Sequence, residues 1–325
     1  MKQTCIVGTG SCLPVRVLTN EDLASMVDTS DEWITTRTGI KTRHIASAGE
    51  STFQLATQAS RKALDMAGLV PADIDMIILG TISCEKAMPS CACLVQKELG
   101  AVNAFALDVN AACSGFLYGL DMADKYIRNN PEMKILVIGA ENLSARTNWQ
   151  DRNTCVLFGD GAGACVVTGT DQDRGMLASK LYADGSLWEL LHMDNAPSLN
   201  PELADPDYDG SYIKMVGRDV FKYAVRAMED AIKEVLAQQN LTINDIQLII
   251  PHQANIRILN SLVDRLGVPA EKVYINVQKY GNTSAATVPI ALDEANREGR
   301  LQQGDLLLIC TFGGGFTWGA TVIRW

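Results

Sequence analysis

Four stretches of this chain carry groups able to do acyl chemistry. Cys113 lies in Asp108-Val109-Asn110-Ala111-Ala112-Cys113-Ser114-Gly115, where an aliphatic run gives way to small residues and then to an apolar stripe at Phe116, Leu120, Ala123 and Ile127. The stripe has helical spacing, so the thiol is expected at a helix N-terminus, where the dipole and unpaired N–H groups favour a thiolate. His252 closes the run Ile249-Ile250-Pro251 at the start of a second stripe, Ile258, Leu259, Leu262 and Leu266. The carboxyl end of a strand is where α/β proteins gather catalytic groups. Asn282, in Tyr280-Gly281-Asn282-Thr283-Ser284, is either a helix N-cap or a side chain facing the thiol. Phe312-Gly313-Gly314-Gly315-Phe316 follows an aliphatic run and is either a tight turn or a loop whose bare N–H groups meet an acyl oxyanion. Each residue alone has a plainer role: a buried thiol, a hydrogen-bonded structural histidine, a cap.

Elements that would hold these residues together are legible as aliphatic runs around Ile74–Leu79, Ala104–Val109 and Ile135–Gly139, separated by helix-capable stretches. This is an α/β pattern. The series recurs. Asp73-Ile74-Asp75-Met76-Ile77-Ile78 is echoed by Asp245-Ile246-Gln247-Leu248-Ile249-Ile250, the turn at Cys113 by the turn at Asn282, and Ile135-Leu136-Val137-Ile138 by Leu306-Leu307-Leu308-Ile309. The offsets are 172, 169 and 171 residues (73 to 245, 113 to 282, 135 to 306). Three landmarks in order at one interval predict an internal duplication: a half at 1–170 with the cysteine and a half at 171–325 with the histidine and asparagine, about a pseudo-twofold axis. Asp184–Ser211, rich in proline and acid, reads as a long excursion that is either a lid or a mobile surface loop.

Composition excludes other classes. The 325 residues carry a formal net charge of -10, which argues against a broad nucleic-acid or anionic-membrane surface. No apolar run approaches the roughly 18 residues of a spanning helix, and the N-terminus is unlike a signal peptide, so a cytoplasmic protein is expected. Nine scattered cysteines with no C-x-x-C pair and three histidines predict neither a disulfide framework nor a metal site. Gly8-Thr9-Gly10-Ser11-Cys12-Leu13 lacks the third glycine of a dinucleotide fingerprint, and no cofactor is expected.

Together, Asn-Ala-Ala-Cys113-Ser-Gly, Pro-His252-Gln-Ala-Asn255, Tyr-Gly-Asn282-Thr-Ser and the Gly-Gly-Gly-Phe-Thr-Trp-Gly run resemble β-ketoacyl-ACP synthase III, a thiolase-fold condensing family. Asp31-Glu32-Trp33-Ile34, Arg37-Thr38-Gly39-Ile40 and Phe158-Gly159-Asp160-Gly161-Ala162-Gly163 extend the resemblance along the whole chain. It implies two thiolase-like halves layered α-β-α-β-α, a homodimer, and an acyltransferase that starts fatty-acid chains. Its substrates would be an acyl-CoA and malonyl-ACP, with the acyl carrier protein as partner. By the same resemblance Cys113 takes the acyl group, and His252 and Asn282 donate to the malonyl thioester oxygen. Cys113 and Gly314 N–H groups form the oxyanion hole. Trp33, Arg37, Arg152, Gly217 and Asn255 bind CoA or orient the tunnel, Met88 and Phe312 bound the primer pocket, and Lys222, Arg226 and Arg257 dock the carrier. Met88 departs from a phenylalanine found in many relatives, which leaves primer length open. A related condensing enzyme of polyketide type and a non-catalytic partner subunit are the alternatives.

Overall fold

The computed structural model describes residues 2–325. In chain order its principal elements are β1 (Gln3–Cys12), α1 (Asp31–Thr38), α2 (Thr52–Ala67), β2 (Met76–Gly80), α3 (Cys91–Leu99), β3 (Phe105–Val109), α4 (Gly115–Asn129), β4 (Lys134–Asn142), β5 (Asp160–Thr170), β6 (Gly175–Ala183), α5 (Gly217–Ala237), β7 (Leu248–Pro251), α6 (Ile256–Leu266), α7 (Thr287–Arg297), β8 (Leu306–Gly313) and β9 (Thr317–Arg324). One sheet has the order β1-β5-β4-β2-β3 and the other β7-β8-β9-β6. In the first, β2 and β4 are parallel, and β4–β5 and β5–β1 antiparallel. In the second, β7 and β8 are parallel, and β8–β9 and β9–β6 antiparallel. The same four-strand motif is therefore written twice.

Strand register corrects the interval between the copies. Met76 stands opposite Ile135, and Leu248 opposite Leu307, each pair member 172 residues from its counterpart (76 to 248, 135 to 307). The same interval separates the starts of α4 and α7, and the left-handed residues Ala112 (φ 45°) and Ser284 (φ 51°). Cys113 thus corresponds to Ala285, and Asn282 to Asn110; the two turns match, but their functional side chains are three positions out of phase. Leu306-Leu307-Leu308-Ile309 is too uniformly aliphatic to reveal its register; backbone pairing sets it. Ahead of Asn282 a short helix, Val277–Tyr280, replaces the regular strand, and the counterpart of β3 shrinks to an isolated bridge, Ile249 to Val273.

Five layers follow from where the apolar side chains go. Alternation along β2 sends Met76 and Ile78 to one face and Ile77 and Leu79 to the other, and both faces are covered. Inward residues of both sheets, including Ile78, Val137, Ile250 and Ile309, meet Phe116, Leu117 and Leu120 of α4 and Val288, Ala291 and Leu292 of α7. Those two helices form the central layer. Outside the first sheet lie α2 and α3, bringing Leu55, Ala59, Cys91 and Val95, and outside the second lie α5 and α6, bringing Val225, Met228, Ile232 and Leu262. Among the described residues no helix is long and apolar enough to cross a membrane.

The excursion after β6 is partly built. Gly185–Leu190 forms a 3₁₀ turn, and Leu191–Met193 pairs antiparallel with Ile213–Met215. Lys214 ties its base to Asp194 at 2.8 Å and to Asp209 at 2.5 Å.

Candidate active site

Both turns have a left-handed residue shortly before a helix, Ala112 ahead of α4 and Ser284 ahead of α7. Cys113 follows Ala112 in the turn Ala112–Ser114 that leads into α4. Gly313, at the end of β8, lies so near that a Cβ there would come within 2.7 Å of the Cys113 nitrogen. Only glycine lets the two backbones pass. Gly314 follows in the turn joining β8 to β9, outside their ladder.

His252 is in the turn after β7 and Asn255 caps α6, its Oδ1 accepting the Arg257 N–H at 2.8 Å, so both precede the helix. His252 is buried, with Nδ1 2.7 Å from the Thr287 hydroxyl. Burial lowers its pKa to about 3, so the ring is neutral at any working pH. Asn282 Oδ1 accepts the Ser284 N–H at 2.8 Å. That bond closes a local turn and is not a helix cap, since Thr283 caps the 3₁₀ turn Ser284–Ala286 and Ala286 caps α7. The loop after Val156 fixes this asparagine from the other half, since Asn282 N–H donates to Leu157 O at 2.8 Å and Asn282 O accepts from Gly159 at 3.1 Å.

A cavity of about 1200 Å³ takes in Cys113, His252, Asn282, Phe312 and Gly314. Its other walls include Trp33, Arg37, Gly217, Asn255, Lys222 and Arg257, and the hairpin residues Leu191, Met193, Ile213 and Met215. Trp33 is flanked by two guanidinium groups, Arg37 at 4.4 Å and Arg152 at 5.4 Å from its ring centroid, and Arg152 is also held by Asp28 at 3.1 Å. Cation–π contact holds the three side chains together.

The expected depression of the Cys113 thiol is not found. Although the sulfur's residue keeps accessible surface, that surface is cavity, and burial pushes the thiol up to about 12. A single 3₁₀ turn before α4 does not offset that desolvation. Three of the expected residues, Arg152, Met88 and Arg226, are not part of the cavity wall, although Arg152 lies against Trp33, which is. Met88 is 86% exposed and does not line the pocket of its own chain. Arg226 faces a separate groove with Tyr182, Tyr223 and Glu234, and its nearest acid is Asp230 at 3.7 Å. Residues the sequence did not single out include Arg218 at the cavity, Thr287 beneath His252, and the fully buried Glu141, which accepts from the Thr81 hydroxyl and Ile82 N–H, each at 3.1 Å. Nothing in their local sequence marks them.

A duplicated α/β frame with a thiol, a neutral imidazole and an amide on one cavity defines an enzyme of the thiolase-fold class. Comparison with known proteins narrows that class. Residues 107–185 match the model of the 3-oxoacyl-(acyl-carrier-protein) synthase III family, and residues 236–325 match that family's C-terminal model. A β-ketoacyl-(acyl-carrier-protein) synthase III of Desulfotalea psychrophila is 57% identical over 98% of this chain and 99% of its own. The crystal structure of the Aquifex aeolicus 3-oxoacyl-(acyl-carrier-protein) synthase III superposes with a TM-score of 0.93 at 52% identity, covering 100% of both chains. A priming β-ketosynthase from a polyketide pathway gives a TM-score of 0.92 at 35% identity, covering 99% of this chain and 96% of its own. The chain belongs to the β-ketoacyl-ACP synthase III family of acyltransferases.

Proposed function

We propose that the protein condenses an acyl-CoA primer with malonyl-ACP, and that Cys113, His252 and Asn282 carry the reaction. The observation that carries this reading is the single cavity shared by the three side chains, one from the first half and two from the second. In the first stage Cys113 Sγ attacks the acyl carbonyl, the bond to the CoA sulfur breaks, and the thiol proton leaves with CoA. The N–H groups of Cys113 and Gly314 hold the tetrahedral oxyanion, an effect in which one donor is worth about 3 kcal/mol. A thiol near 12 is almost wholly protonated at neutral pH, so deprotonation accompanies attack and is not complete beforehand. Trp33, Arg37 and Arg152 suit the adenine and phosphates of CoA at the outer end.

In the second stage malonyl-ACP loses carbon dioxide, and the electron pair of the broken bond moves into an enolate. Neutral His252 and the Asn282 amide donate to the enolate oxygen. The enolate carbon attacks the acyl carbonyl on Cys113, the thioester bond breaks, and the sulfur takes one proton from solvent. Lys222, Arg257 and Arg218 offer a cationic rim to an acidic carrier. The division into halves 1–170 and 171–325, a cytoplasmic location and a homodimer belong to the same proposal. The dimer is supported by the open edge of β3 and the exposed Met88, Val102 and Phe105 beside it.

Intact-mass analysis after incubation with a panel of acyl-CoAs tests the reading. Wild type should gain one acyl group and the Cys113→Ser variant none. Acylation of that variant at the wild-type rate would refute the assignment, and a primer or acceptor preference other than acyl-CoA with malonyl-ACP would move the protein to a polyketide-type role.

A further inference from the structure

The 172-residue interval aligns His252 with Gly80 and Thr287 with Gly115. In the first half those glycines touch: a Cβ on Gly115 would meet Gly80 Cα at 3.0 Å. In the second half the same two positions hold a buried imidazole and a buried hydroxyl, joined at 2.7 Å. A contact between backbones in one copy has become a side-chain hydrogen bond in the other.

That hydroxyl has one proton and two neighbours. Thr287 Oγ1 is 2.7 Å from His252 Nδ1 and 3.0 Å from Ser284 O, and Ser284 O already accepts the Thr287 backbone N–H. Hydroxyl donors favour about 2.7–2.8 Å, whereas N–H donors sit nearer 2.9–3.0 Å. The shorter contact has the length of an O–H donor, and Ser284 O, with the Thr287 backbone N–H as one donor, does not depend on a second. We infer that Thr287 is a positioning residue that donates its hydroxyl proton to His252 Nδ1 and so holds the ring proton on Nε2, the other nitrogen of a ring that lines the cavity. Rotation of the hydroxyl toward Ser284 would instead leave Nδ1 protonated and present a bare lone pair to the enolate. The inference rests on the reading that His252 donates during decarboxylation.

Long-range ¹H–¹⁵N NMR of histidine-labelled protein, with only three histidines to assign, reads the tautomer directly. His252 should be Nε2–H in the wild type; an Nδ1–H ring overturns the inference without any variant. In Thr287→Val the ratio of malonyl-ACP decarboxylation to Cys113 acylation should fall by about 10²-fold, the scale of a lost oxyanion donor, and Thr287→Ser should restore it. An unchanged ratio in a folded Thr287→Val protein, or no rescue by serine, also overturns it. His252→Ala separates the two levels. If that variant decarboxylates normally while the wild-type ring is Nε2–H, the donor reading of the site fails; if decarboxylation is lost while the ring is Nδ1–H, the tautomer inference alone fails.

Discussion

Glu141 shows how one buried side chain couples folding to pH. It lies on β4 with its carboxyl out of solvent, and burial raises its pKa from 4.5 to about 7 despite hydrogen bonds from Ser83, Ile82 and Thr81. A carboxyl that holds its proton more tightly when folded stabilises the protein fully below the unfolded value. That contribution fades as pH rises from about 4.5 through 7, and over the whole window it is worth about 3 kcal/mol. His252 acts with the opposite sign, since its lowered pKa gives stability above 6.5 that is lost as pH falls toward 3. The difference between wild type and Glu141→Gln isolates the carboxyl. Urea unfolding at pH 5 and pH 8 should show the wild type losing more stability across that interval than the variant. Parallel losses would mean that Glu141 titrates normally.

At the scale of elements, the close pass of β8 behind the Cys113 turn sets the position of the thiol. A methyl group at Gly313 would meet backbone atoms, Cys113 N at 2.7 Å and Ser114 N at 3.1 Å, which cannot move aside as a flexible side chain would. Gly313→Ala should therefore displace the turn. Overpacking of this kind costs roughly 1–3 kcal/mol of stability, and the acyl-enzyme should form about 10²-fold more slowly because the attack geometry is lost. Gly185→Ala, with nothing within 4 Å, is the control. Stopped acylation time courses by mass spectrometry would show the loss, and equal rates for the two variants would remove Gly313 from the site's support. This packing was only half legible. The Gly-rich run was visible as a candidate donor loop, but its contact with a residue two hundred positions earlier exists only because the two sheets sandwich α4 and α7.

The whole molecule carries a net charge of -10, yet Arg37, Arg218, Lys222 and Arg257 gather at one cavity. An acidic carrier would be steered there and repelled elsewhere. Lys222 is only loosely engaged by Asp219 at 3.5 Å, so its charge is available. Lys222→Glu combined with Arg257→Glu should weaken condensation with malonyl-ACP, most at low salt where screening is least, while acylation by acyl-CoA stays near normal. Equal loss of both half-reactions, or full activity at low salt, would place the carrier on another face. Met88 belongs to this scale because its own chain does not enclose it. If a second copy receives it, Met88→Phe should shift primer use toward the shortest acyl-CoA by roughly 1–3 kcal/mol, read as the ratio of butyryl to acetyl turnover. An unchanged ratio would take Met88 out of the primer pocket.

From sequence alone, the duplicated α/β order, the family, and the cysteine, histidine and asparagine that the fold brings to one cavity were legible. Strand alternation and local motifs are written in short windows, and a repeat at a constant interval survives small errors of register. Tertiary structure decided the remainder. It moved the counterpart of Cys113 to Ala285, because uniform aliphatic runs hide the register that backbone pairing fixes. It raised the thiol that a helix N-terminus was expected to lower, because desolvation depends on everything packed around the sulfur. It turned Arg226 to a separate groove, four residues from Lys222 on the same helix, because small differences of angle around α5 select different neighbours. Thr287 was invisible for the same reason: a threonine at the start of a helix is ordinary until the fold brings a histidine from the turn after β7 to within 2.7 Å of it.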